Sequence, residues 1–420
     1  MRAPEAGVVK SSLLVRSTGV QLLVALFFLT TTCVSVYSSL RILQASPSPE
    51  TISIDARAAP TNPSSQNSSN EISPLPSIRE EVKDVTTLEE SEHATVMAFA
   101  MNYDLYTHKK YVGSLRKSGF KGNIILGVEA ETKPGVRDYL MGKGVTMRSL
   151  TFVNCTYIDS TVKTDNSHDK ERRTCAHPYP DIKVRWSRFP LIRDWLTECK
   201  ECTGPVLISD YRDAYFQRNP FAVGEPAIRG LQVFEEHRSI HTTHWLVQVP
   251  VSKCKGASFD EPMLCSGTTV GDRESMLKYL SAMYGEMRLW MADPKCHFSM
   301  NGDDQSIHNY LFYSGKLPFA NKIPNRSGIV HTVGAQGSII LKAHRKRHMD
   351  EKGIDQGKAT RTPYDGADDK TWIGFHHDLT DNDGFFVNMD GSRSHVIHQY
   401  DRFGPNFEGW LARQMGKVWE

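Results

Sequence analysis

Between residues 95 and 152 the sequence alternates short apolar runs with amphipathic stretches, and nothing else in the chain restricts its fold so tightly. Residues 95–100 (Thr-Val-Met-Ala-Phe-Ala) have the content and length of a strand. Residues 105–118 set Leu105, Tyr111, Val112 and Leu115 on one side of a helix. A second strand is expected over 123–127, a short helix over 136–143 ended by Gly144, and a third strand over 145–152. Strands that alternate with helices over short links run parallel, because a parallel partner is reached only by a crossover on the face of the sheet. The expected fold class is therefore α/β, a mixed and mainly parallel sheet flanked by helices.

Further along, 153–183 reads as an inserted polar loop. Residues 185–199 read as a strong amphipathic helix, with Trp186, Phe189, Leu191, Ile192, Trp195 and Leu196 at helical spacing. A buried strand, Val206-Leu207-Ile208-Ser209, follows Gly204-Pro205 and runs straight into Asp210, Tyr211, Arg212 and Asp213. Carboxylates at the end of a buried strand are costly unless they bind something. A divalent cation carrying phosphates satisfies them, since hard ions take one or two carboxylates and keep positions open for phosphate oxygens. In an open α/β sheet the carboxyl ends of the strands are where ligands sit.

Strands are also expected over 231–234, 245–249, 265–271 and 339–341, with a long helix over 273–291 and another helix over 306–313. The methionines of the first of these helices read as core packing. Gly302-Asp303-Asp304-Gln305 opens the second. The last strand, from His395, runs through His398 into Asp401.

The first forty residues bear on compartment. Arg2, Lys10 and Arg16 precede a mostly apolar run over 20–40, close to the ~20 residues that a membrane-spanning helix needs. Basic residues ahead of the run point to a cytoplasmic tail over 1–19, an uncleaved signal anchor over 20–40 and a lumen-facing remainder; a cleaved signal peptide is the competing reading. Residues 41–92 are rich in Ser, Pro, Thr and Asn and read as a disordered luminal stalk, leaving 93–420 as one catalytic domain. Asn67, Asn154 and Asn325 head glycosylation sequons. Of eight cysteines, Cys33 falls in the apolar run. The other seven should mostly pair in an oxidising lumen, and an odd count leaves one over; Cys199-x-x-Cys202 reads as a structural disulfide. A formal net charge of +2 gives no basic field for nucleic acid.

Four segments then stand in order: Asp210 and Asp213 with Tyr215-Phe216 and Asn219-Pro220 after them; Cys265-Ser266-Gly267-Thr268; Gly302-Asp303-Asp304-Gln305 with Asn309; and His398-Gln399-Tyr400-Asp401. Together they resemble nucleotide-sugar glycosyltransferases of the GT-A type, and the resemblance covers about residues 95 to 402. It implies a GT-A-like fold, a Golgi membrane location, and transfer of a hexose-type sugar from a nucleoside-diphosphate donor to a glycan or glycoprotein acceptor. It also implies Mn²⁺ (or Mg²⁺) on Asp213, Asp210 and His398, with Asp401 orienting the His398 ring. The donor would meet Asp210, Arg212, Ser266, Gly267 and Thr268. Asp304 would serve as base in an inverting reaction or flank the sugar in a retaining one, and Gln305 would bind sugar or acceptor.

One departure from the family pattern stands out. The strict motif has two Asp one residue apart, and here Tyr211 stands where the first belongs. Either Asp210 bulges in to compensate or Asp213 is the only ligand from this loop. Two other classes remain open: an anchored, non-catalytic binding module, and a metal-dependent phosphohydrolase.

Overall fold

Helix α1 (Leu88–Glu92) leads into β1 (Thr95–Phe99) in the computed structural model, which describes residues 84–156, 174–236, 245–296, 303–334 and 380–403. All of these belong to the second of two units, residues 80–420. After β1 come α2 (Leu105–His108), a π-helical stretch (Lys109–Gly113) and α3 (Ser114–Lys117), then β2 (Asn123–Glu129), α4 (Val136–Gly142) and β3 (Val145–Leu150). A hairpin of β4 (Phe152–Asn154) and β5 (Thr174–Ala176) precedes α5 (Arg188–Glu198), β6 (Val206–Ser209), β7 (Ala214–Phe216) and β8 (Leu231–Glu235). The described chain is completed by α6 (Trp245–Lys255), β9 (Leu264–Gly271), α7 (Arg273–Ala292), α8 (Asp303–Tyr313), β10 (Ala320–Ile323), β11 (Val330–Thr332) and β12 (Val396–His398).

The protein is α/β, with a mainly parallel central sheet flanked by helices. Its seven strands lie in the order β10–β8–β9–β6–β1–β2–β3. Only β9 opposes the rest, pairing antiparallel with both β6 and β8. Side chains alternate between two apolar layers, as the pleat requires. Met97, Val206 and Ile208 join Trp186, Phe189, Tyr279, Met283 and Trp290 on one face. Val96, Ala98 and Leu207 join Tyr111, Phe120, Phe216 and Phe221 on the other. Burial of both faces is why these strands read as continuous apolar runs. Met276, Met283 and Met287 are fully buried, as core packing requires.

Several expectations need correction. Residues 245–249 are not a strand but the first turns of α6. Val247, Val251 and Cys254 recur at helical spacing, and the period runs on through Pro250, where a short apolar window ends. The strand expected over 145–152 stops at Leu150, and Phe152 starts the separate hairpin. The folded unit also begins earlier than residue 93. Thr87 and Glu90 cap α1 reciprocally, and Arg229 pairs with Asp84 at 2.7 Å and Glu90 at 2.8 Å. So short and polar a helix has no hydrophobic period to reveal it.

The disulfides join Cys155–Cys175, Cys199–Cys202 and Cys254–Cys296, and Cys265 is free and buried. Asn154 is exposed, whereas Asn325 is buried and spends its amide on the carbonyls of Glu236 and Thr332, so the folded chain closes the sequon at Asn325. Among the described residues no helix is long and apolar enough to cross a membrane. The anchor expected over 20–40, Cys33, Asn67 and the strand expected over 339–341 lie outside the described residues.

Candidate metal centre

Three elements bring Asp210, Asp213 and His398 together. Strand β6 ends at Ser209, so Asp210 stands at its carboxyl end, and its N–H donates to the Gly267 carbonyl of β9 at 2.6 Å. Asp213 immediately precedes β7. A small second sheet, β11–β12–β7, supplies the third residue. Its antiparallel register sets His398 opposite Ala214, and the Gln399 N–H donates to the Asp213 carbonyl at 2.8 Å.

This arrangement accounts for the unusual spacing of the two acids. The intervening Tyr211 turns into the core, where its ring lies 4.3 Å from Tyr111 and its hydroxyl pairs with His108 Nδ1 at 2.7 Å. Arg212 turns outward, with 59% of its side chain exposed. Both acids are then left facing His398, and one ligand atom from each of the three residues fits within 4.8 Å.

The His398 ring is buried. Its Nε2 lies 3.6 Å from Asp210 Oδ2 and 3.8 Å from Asp213 Oδ1, too far for a hydrogen bond, and has no other hydrogen-bond partner. Two carboxylates and an imidazole converging on one polar position suit a divalent cation such as Mn²⁺. Gly267 leaves the room: a Cβ there would stand 2.5 Å from Asp210 Oδ2 and 2.6 Å from His398 Cε1. Beside Gly267, Ser266 and Thr268 are buried in β9, and the Thr268 hydroxyl has no hydrogen-bond partner. Across this stretch the pairing of β9 with β8 loses its regular register between Val233 and Glu235. Such irregularities are common where a strand re-aims side chains at a site.

The charges are strongly coupled. Burial raises the Asp213 carboxyl above its ordinary value, with Asp210 and Asp401 adding to the rise and His398 opposing it. Asp210 goes the other way: its burial is outweighed by the Arg188 guanidinium and the His398 ring, which hold it well below the usual carboxylate range. Burial would lower His398, but Cys265 and the two acids hold it well above the ordinary histidine value. Four carboxylates, Asp210, Asp213, Asp304 and Asp401, meet two guanidiniums here, Arg188 and Arg212. A bound metal would displace the His398 proton, and the four carboxylates would then exceed the two guanidiniums by two charges, which matches one divalent cation.

Asp304 reaches this centre through Arg188, which binds it at 2.5 Å and Asp210 with its other arm. Gln305 lies one link further out and donates to buried Glu236 at 2.7 Å; Gln399 donates to the same carboxylate at 3.2 Å. Arg212 pairs with Asp401 at 2.9 Å. Asp401 was expected behind the His398 ring, but the atom facing Nδ1 is Cys265 Sγ at 3.4 Å. Tyr103, just beyond β1, stacks on Tyr211, and its phenol is raised by burial and by Asp213, Asp210 and Asp401 against Arg212.

Sequence reasoning missed Arg188 and Glu236, and it named Cys265 within a motif without giving it a role. A signal existed for Arg188, since it falls on the same helical face as Ile192 and Trp195, where a cation needs a buried partner. For Cys265 it was the odd cysteine count. Glu236 had none. No protein-family model matches the chain, and no curated protein matches it.

Proposed function

We propose that the chain is a metal-dependent glycosyltransferase of the GT-A type. It moves a hexose-type sugar from a nucleoside diphosphate to a glycan or glycoprotein acceptor in the secretory lumen. The observation that carries this reading is the convergence of Asp210, Asp213 and His398 at the carboxyl edge of a mainly parallel sheet, around a position that Gly267 keeps clear.

Asp213, Asp210 and His398 would hold Mn²⁺, which when bound neutralises charge on the departing diphosphate. Arg212, exposed at the rim and paired with Asp401, would meet a phosphate. Tyr103, partly exposed and stacked on Tyr211, offers a ring face to a nucleobase beside the same carboxylates. Transfer joins the acceptor hydroxyl oxygen to the anomeric carbon and breaks that carbon's bond to the diphosphate. In an inverting transfer Asp304, fixed by Arg188, would take the hydroxyl proton; in a retaining one it would flank the sugar.

The test is hydrolysis or transfer from a panel of nucleotide sugars by the purified full-length chain, with Mn²⁺ and with chelator, beside Asp213→Asn. Metal-dependent turnover of one donor, reduced at least about a hundredfold in the variant, supports the reading. If no donor is turned over and no nucleoside diphosphate binds, the chain is a non-catalytic module. Metal-dependent release of phosphate without any sugar transfer would instead mark a phosphohydrolase.

A further inference from the structure

We propose that Cys265 is a positioning residue for His398: its sulfur accepts the Nδ1–H of the ring and so turns Nε2 onto Asp210 and Asp213. This role rests on the metal-dependent reading above.

Cys265 stands apart from the six disulfide-bonded cysteines and is buried, so neither pairing nor surface chemistry accounts for it. Two nitrogens face its sulfur, His398 Nδ1 at 3.4 Å and the Gln399 amide nitrogen at 3.8 Å. An amide nitrogen can only donate, so the sulfur is an acceptor on that side. Neutral histidine has one donor nitrogen and one acceptor nitrogen, and the hydrogen bond made by the first settles which is the second. With Nδ1–H directed at sulfur, the lone pair of Nε2 points at the two carboxylates, where Nε2 is buried and otherwise without a partner.

Metal-bound histidines usually give their second N–H to a carboxylate or a carbonyl. In this protein the carboxylate nearest in sequence, Asp401, is engaged with Arg212, and a thiol takes the place.

The sulfur is itself held. Gln399 adopts φ +62°, a left-handed conformation rare outside glycine, and its N–H is tied to the Asp213 carbonyl. Its side-chain amide lies between Cys265 and the Glu236 carboxylate, so one residue braces both the Asp213 loop and the acceptor behind His398. Gly334 makes room for that side chain, since a Cβ there would stand 2.0 Å from Gln399 Oε1.

The experiment is a Mn²⁺ titration of the full-length chain, with free Mn²⁺ read by electron paramagnetic resonance and the melting temperature recorded for each variant. Cys265→Ser keeps an acceptor in the same place and should bind within about threefold of wild type, whereas Cys265→Ala should bind about 10–100-fold more weakly. A residue that only fills space changes the melting temperature and leaves Mn²⁺ affinity alike in the two variants. Should Cys265→Ala not fold, Cys265→Val carries the same prediction. Mn²⁺ binding by Cys265→Ala or Cys265→Val equal to wild type overturns the role, as does equal weakening in the Ser and the apolar variants. No Mn²⁺ binding by the wild type would remove the metal centre itself, and the role with it.

Discussion

Gly267 makes room for the centre by having no side chain. Its two nearest neighbours across the site are the oxygen and the ring that the proposed metal needs. Gly267→Ala should therefore weaken Mn²⁺ binding at least about tenfold, by pushing Asp210 or His398 off its position. The side chains it meets can shift, so the melting temperature should fall by only a few degrees. Unchanged Mn²⁺ affinity in this variant would show that the space near Gly267 is not the cation's. Arg188 acts at the same scale and through charge, since one guanidinium ties the acid at the end of β6 to the acid at the start of α8. Such a buried bridge holds geometry, and removing the cation leaves two acids facing each other.

At the scale of elements, the Asp210–Asp213 loop works because strands on both sides hold it. Strand β9 takes its first amide, and the β7–β12 ladder fixes its end opposite His398. Helix α7, which lines one core layer, depends on a shared cap. Asp272 accepts from the Ser275 N–H at 2.8 Å and from the Gly230 N–H at 2.6 Å, so one carboxylate starts the helix and pins the entrance to β8. Asp272→Ala should lower the unfolding free energy by about 1–2 kcal/mol, while Asp272→Asn, with one oxygen left for two N–H donors, should keep only part of it. Urea midpoints decide this, and equal losses in the two variants would mean that charge matters more than the cap.

At the scale of the whole molecule, each core layer encloses a neutral histidine. Burial, with Arg188 adding, pushes His308 down to about 3 from its ordinary 6.5. Burial also pushes His108 down to about 4, against Glu129 and Asp104. Below pH 6.5 the unfolded chain takes up these protons and the folded chain does not, so stability falls as pH falls. Each histidine contributes a slope of about 1.4 kcal/mol per pH unit, which ends near its folded value. Replacing His308 by Gln should remove about one proton from the slope of unfolding free energy between pH 6 and 4. An unchanged slope in that variant would show that His308 is not protonated on unfolding.

The sequence by itself determined the α/β class and the strand that ends in Asp210 from local pattern, and its resemblance to a family pattern set His398 beside Asp210 and Asp213 as an expectation. Apolar runs of strand length bury themselves, and carboxylates at their ends need a partner. Only the tertiary structure decided that Tyr211 belongs to the core and so lets both acids face His398. It alone set β9 against its neighbours, tied Asp304 to Asp210 through Arg188, and put Cys265 rather than Asp401 behind the His398 ring. These partners lie 22 to 133 residues apart in the chain. The period of one segment says which face it buries, and the register of a ladder between distant strands says which side chains meet there.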